Sequence, residues 1–131
     1  MINFTKDTVI HLHNMLIKQT GGTEGVRDEG MLESALGCAY ATFDHQDLFP
    51  TIEEKAARLG VGLISNHAFV DGNKRTGTFV MLTLLDVNGI EMSYSEEDVV
   101  KLGYNVATGE NKYANVLEWI QSHKLNKEQQ Q

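Results

Sequence analysis

The sequence predicts an all-α protein, a compact bundle of about six helices. Three observations lead there. Apolar residues recur at three- and four-residue spacing in separate stretches along the chain. Residues suited to capping (Thr5, Asp28, Thr51, Ser95) stand just ahead of four of those stretches. Gly21-Gly22 and Asn88-Gly89 follow two of them as stop signals.

At 131 residues the chain is long enough for a real core, and it reads as a single domain over 1–125 with a polar tail at 126–131. Its 11 basic and 18 acidic residues leave a net charge of −7, which argues against broad binding to nucleic acid or anionic membrane. A small cationic pocket stays compatible with that balance. Cys38 is the sole cysteine, so no internal disulfide can form, as suits a reducing cytosol. The Met1 end lacks a charged-then-apolar signal pattern, and the apolar run at 78–87 is too short to span a bilayer.

Taken in order, residues 2–20 predict the first helix. Thr5 is placed to cap it, with Asp7 in the first turn, where the helix dipole favours an acid. Val9, Leu12 and Leu16 form its apolar stripe, widened by Ile10 and Ile17. His11 and His13 lie two residues apart, so they point in different directions and share no metal; both are expected at the surface or its boundary. Asp28 is placed to cap a second helix whose stripe is Met31, Leu32, Ala35, Leu36 and Ala39. Cys38 on that helix is expected to be a small packing residue.

Residues 40–50 form a polar-aromatic connection, in which His45 between acids reads as solvated. Thr51-Ile-Glu-Glu54 is a capping box, so a third helix starts at Ile52 and buries Ala56, Leu59, Leu63 and Ile64. His67 falls one turn beyond Leu63, near the end of that helix. Residues 73–88 predict a fourth helix, apolar nearly all round and therefore central. Residues 90–94 are extended. A fifth helix starts at Ser95 with Val99, Leu102 and Val106 behind it; 108–111 is a break. A last helix over 112–124 packs Val116, Leu117 and Ile120, with Trp119 at its edge.

The joint between the third and fourth helices carries the chemistry. His67-Ala-Phe-Val-Asp71-Gly72-Asn73-Lys74-Arg75 brings a proton acceptor, a carboxylate, a Gly-Asn turn and two cations into nine residues. The imidazole of His67 is suited to general-base work near neutral pH. Asp71 is a hard oxygen ligand for Mg2+, which takes few protein carboxylates and completes its shell on substrate phosphates. Gly72 allows a backbone conformation or close approach that a side chain would obstruct. Asn73, at the helix start, can cap it and offer an amide to a phosphate oxygen. Lys74 and Arg75 add positive charge where a transferring group becomes more negative. The free N–H groups and dipole of the following helix favour an anion at the same place. These are the parts of a phosphoryl or nucleotidyl transfer site. Any two of them would serve equally well as helix caps; the full set at this spacing points to a site. Phe69 is expected to point into the core and fix the joint, which two core helices hold rigid.

The run His67-x-Phe69-x-Asp71-Gly72-Asn73-Lys74-Arg75 resembles the signature of the Fic/Doc superfamily and is most similar to its Doc (death-on-curing) toxin branch. The resemblance extends over nearly the whole chain. The segment Gly-Val-Arg-Asp-Glu-Gly-Met-Leu-Glu-Ser-Ala at 25–35 and the turn Thr108-Gly-Glu are also similar to that branch. It implies a Fic-type helical fold in which His67 takes the proton from a hydroxyl of a protein substrate. It implies that Asp71 holds Mg2+ on the phosphates of ATP, which Gly72, Asn73, Lys74 and Arg75 cradle.

Within the superfamily, the Fic branch usually has Gly where this chain has Lys74, and a second Arg where it has Thr78. Fic enzymes transfer AMP, and a lysine at 74 intrudes on the α-phosphate site that this transfer requires. The Doc branch instead transfers the γ-phosphate to a threonine of translation elongation factor Tu, arresting translation. Lys74 and Thr78 therefore favour a kinase. Gly72, where the Doc branch is familiar with alanine, is Fic-like and keeps AMP transfer as an alternative. A catalytically inactive helical binding module is a third reading. The resemblance also implies a flap within 40–50 that pairs with a target strand, and an antitoxin whose C-terminal segment folds onto this domain. Residues 20–25 match the letters of a Fic inhibitory helix. Gly21-Gly22 inside the match spoils a helix, so control is expected in trans, in a cytoplasmic protein with no direct nucleic-acid or membrane partner.

Overall fold

A computed structural model of the chain, described over residues 1–125, has six helices and one minimal hairpin. They are α1 (Lys6–Thr20), α2 (Glu29–Ala39), β1 (Thr42–Phe43), β2 (Gln46–Asp47), α3 (Ile52–Ser65), α4 (Asn73–Val87), α5 (Glu96–Ala107) and α6 (Tyr113–His123). The tail at 126–131 lies outside the described residues. The helix starts follow the capping chemistry. Thr5 Oγ1 accepts the Thr8 amide at 3.2 Å, and Asp28 Oδ1 accepts that of Met31 at 3.1 Å. Thr51 with Glu54, and Ser95 with Asp98, close reciprocal capping boxes.

The fold centres on α3 and α4. The first packs against α2, α4, α5 and α6; the second also against α1 and α5. Leu59, Leu63, Met81, Leu84 and Leu85 are buried between them and their neighbours. Two small residues let the pair come close. A Cβ at Gly77 would stand 2.4 Å from Ile64 Cγ1 and 3.0 Å from the Gly60 carbonyl oxygen. This contact holds the end of α3 against the start of α4, and with them the joint at 66–72.

Five expectations change. The buried line of α1 is Val9, His13 and Ile17, while Leu12 and Leu16 are only half buried. His13 is therefore fully buried rather than at the surface. Cys38 is exposed, because the packed face of α2 is Leu32, Ala35, Leu36 and Ala39 and position 38 falls outside it. On α4, Phe79 and Leu82 are half buried because they border a groove. Fourth, residues 40–50 are not a plain connection: Thr42 pairs with Asp47 and Phe43 with Gln46. Asp44 and His45, both at positive φ (52° and 64°), make the two-residue turn. Lys55 on α3, 2% exposed, ties this hairpin down through Asp47 at 2.9 Å and the Phe49 carbonyl. The fifth change concerns the end of α3. That helix stops at Ser65, and His67 lies beyond it in a left-handed conformation (φ 49°) rather than on its last turn.

The Ser93 amide donates to the His123 carbonyl and the Leu125 amide to that of Glu91, so the extended piece at 90–94 closes the chain beside α6.

Candidate active site

The joint is held on one side by a segment that sequence spacing does not reveal. The α1–α2 loop runs antiparallel to residues 67–70, with Val26 bridged to Phe69. The Ala68 carbonyl accepts the amides of Arg27 (2.8 Å) and Asp28 (3.1 Å), and Val70 N donates to Gly25 O at 3.0 Å. Arg27 Nε donates to the His67 carbonyl at 2.7 Å. These bonds fix the left-handed backbone at His67, an unusual conformation for a side-chain-bearing residue, while its imidazole stays exposed.

From the other side the loop is closed on itself. Phe69 is buried, as expected. Asn73 Oδ1 accepts the Phe69 amide and its Nδ2 donates to the Phe69 carbonyl, both at 3.0 Å. The Asn73 amide is thus committed to the loop. Gly72 takes the N-cap position at φ 75°, and no side chain caps the first turn of α4. The N–H groups of that turn are left for an anion.

Asp71 stands at the centre. Its Oδ1 accepts the Gly72 amide at 2.8 Å and its Oδ2 the Thr23 amide at 3.1 Å. These two donors hold its carboxyl below the usual carboxylate range, with Arg75 adding to the effect. Lys74 and Arg75 are exposed; Arg75 Nη1 donates to Thr20 Oγ1 and to the Gly21 carbonyl at the end of α1. His67, Asp71, Gly72, Asn73, Lys74 and Arg75 all border one cleft of about 300 Å³. Among the described residues no group of three or more His, Cys, Asp and Glu could form an all-protein metal cage. One ionised, half-exposed carboxylate beside an uncapped helix start fits Mg2+, which is commonly held by a single carboxylate and substrate phosphates.

A second, apolar cavity of about 520 Å³ shares Lys74 and Arg75 with this cleft. It runs between α1, α4 and α5, bordered by Leu16, Phe79, Leu82, Val99, Val100 and Tyr104. No helix among the described residues is long and apolar enough to cross a membrane.

Sequence reasoning missed three contributors: Thr23, Arg27 and His13. The first two act through or onto backbone, which leaves no residue-type signal. His13 had one, since it stands four residues from both Val9 and Ile17 and so on their face.

Residues 3–85 match the Fic/DOC family. Over 73 residues the chain is 42% identical to "Toxin Doc" of Mycolicibacterium smegmatis, a match spanning 56% of this chain and 56% of that protein. The chain thus covers little more than half the length of that relative. Over 120 residues it is 28% identical to "Protein kinase doc" of Escherichia phage P1, spanning 92% of this chain and 94% of that protein.

Proposed function

The chain belongs to the Fic/DOC family, and on that premise we propose that it is a Doc-like toxin that transfers the γ-phosphoryl group of ATP to a protein hydroxyl. Elongation factor Tu is the expected acceptor and arrest of translation the expected outcome. The observation that carries this reading is the convergence of a free imidazole, an ionised carboxylate, two cations and an uncapped helix start on one cleft.

Bound Mg2+ supplies charge neutralisation on the phosphate oxygens. The chain's own residues do the rest. The carboxylate of Asp71, kept ionised by the Thr23 and Gly72 amides, is the group to hold the metal. The first-turn N–H groups of α4, with Lys74 and Arg75, bind phosphate oxygens and balance their negative charge. Asn73 serves by bracing Phe69 and the loop. The exposed imidazole of His67 takes the proton of the incoming hydroxyl. A bond forms between that oxygen and the γ-phosphorus, the bond to the β–γ bridging oxygen breaks, and ADP leaves.

Exposed Phe43 on the hairpin fits a flap that docks the target segment. The apolar groove beside Lys74 and Arg75 fits an amphipathic, acid-bearing segment of an antitoxin that folds on binding. Helix α1 ends at Thr20 and residues 21–25 form a loop rather than an inhibitory helix, which fits control in trans; the cytoplasm is the expected location.

The test is ATP labelled at the α or at the γ position, incubated with the protein and elongation factor Tu. Label passes to the factor from the γ position alone. Transfer from the α position would make the protein an AMP transferase, the reading that Gly72 favours.

A further inference from the structure

We infer that His13 is a positioning residue that locks the Asp71–Gly72 peptide in the orientation the anion site needs. For its effect on ligand binding this rests on the proposed function; the lock itself does not.

His13 is fully buried, and its ring stacks on Phe69 with centroids 3.9 Å apart and planes 7° from parallel. Its Nε2 lies 2.9 Å from the Asp71 carbonyl oxygen. A carbonyl oxygen only accepts, so the hydrogen is on Nε2. Its Nδ1 is buried with no partner among the described residues, so the bond to Asp71 is the one polar contact of a ring standing where Val9 and Ile17 flank it. A hydrocarbon would fill that place without leaving a buried nitrogen unsatisfied.

The bond acts through peptide geometry. In a trans peptide the C=O and N–H point to opposite sides. With the Asp71 carbonyl turned inward to His13, the Gly72 N–H is turned outward, and it meets Asp71 Oδ1 at 2.8 Å. If this peptide flipped, a carbonyl oxygen would face the carboxylate and the phosphate cradle. Before most residues a flip is resisted by the Cβ, but Gly72 has none and accepts either sign of φ. The same glycine that admits the ligand leaves its own peptide free to turn, and the His13 donor supplies the missing constraint.

The test compares His13→Phe, which keeps the ring and its stack but loses the donor, with His13→Gln, which keeps a donor at the Nε2 position. Gly72 amide relaxation dispersion reports peptide exchange without any ligand, and calorimetry reports Mg-ATP affinity. In His13→Phe, Gly72 shows exchange absent from the unmodified protein, and affinity falls about tenfold, the scale of one buried hydrogen bond. His13→Gln restores affinity to within about threefold of the unmodified protein. A quiet Gly72 amide in His13→Phe would overturn the lock. If the unmodified protein binds no Mg-ATP, the functional reading fails while the Gly72 signal still decides the lock. Should His13→Phe not fold, the imidazole nitrogen spectrum of the unmodified protein decides: hydrogen on Nε2 is expected, and hydrogen on Nδ1 alone would refute the bond.

Discussion

The Thr23 amide donates to Asp71 Oδ2 at 3.1 Å, joining the loop after α1 to the loop before α4 at a single carboxylate. This contact and the Gly72 amide lower the Asp71 pKa in the folded protein. The sign follows from linkage. A depressed folded pKa gives stability that is fully present above the unfolded pKa and is lost as pH falls through the folded value. Asp71→Asn, which has no titrating carboxyl, lacks this dependence. The stability gap between the two proteins is therefore level from neutral pH down to the ordinary carboxylate range and narrows below it. Urea midpoints measured across that range check this; a gap that widens with acid would contradict it.

Gly72 is left-handed at φ 75°, and a Cβ there would stand 2.8 Å from Ile17 Cδ1. That atom is the tip of a flexible side chain and can swing aside, so the residual cost is backbone strain. Gly72→Ala is expected to lose about 1 kcal/mol of stability and keep the fold. An unchanged denaturation midpoint would mean that alanine sits there without strain.

Lys55 and Asp47 are not equal partners, because the lysine side chain is 3% exposed and the aspartate 46%. Removing the aspartate leaves a buried ammonium with the Phe49 carbonyl but no counter-charge, whereas removing the lysine leaves a carboxylate in reach of water. Asp47→Ala should cost about 2 kcal/mol, a figure reduced for the aspartate's exposure, and should loosen the hairpin. Lys55→Met should stay within about 1 kcal/mol of the original protein. Thermal melts of the pair check the order, which the reverse ranking would refute.

The helical frame was legible because each cap is a local device. Thr5, Asp28, Thr51 and Ser95 bond to residues three positions ahead, so their signals survive without tertiary knowledge. The candidate site was legible for a similar reason, since its six chosen residues lie within nine positions. What supports them was not. Thr23 reaches Asp71 across 48 residues and Arg27 reaches His67 across 40, and both meet a partner that no pattern in the chain announces. The position of Asn73 showed that it begins a helix, yet its side chain turns back to Phe69 because the loop's own amide and carbonyl need partners. The hairpin at 42–47 was hidden because Asp44-His45 is not a glycine-bearing turn.

His67 is the proposed proton acceptor, because its exposed imidazole is the only histidine ring bordering the cleft among the described residues. The decisive measurement is γ-phosphoryl transfer to the acceptor protein by His67→Ala, alongside calorimetric Mg-ATP binding by the same variant. Transfer is expected to fall by about 10² or more with affinity within about threefold of the unmodified protein, the pattern for loss of a proton acceptor that takes no part in nucleotide binding. Undiminished transfer by a folded His67→Ala protein would mean that this imidazole is not the proton acceptor.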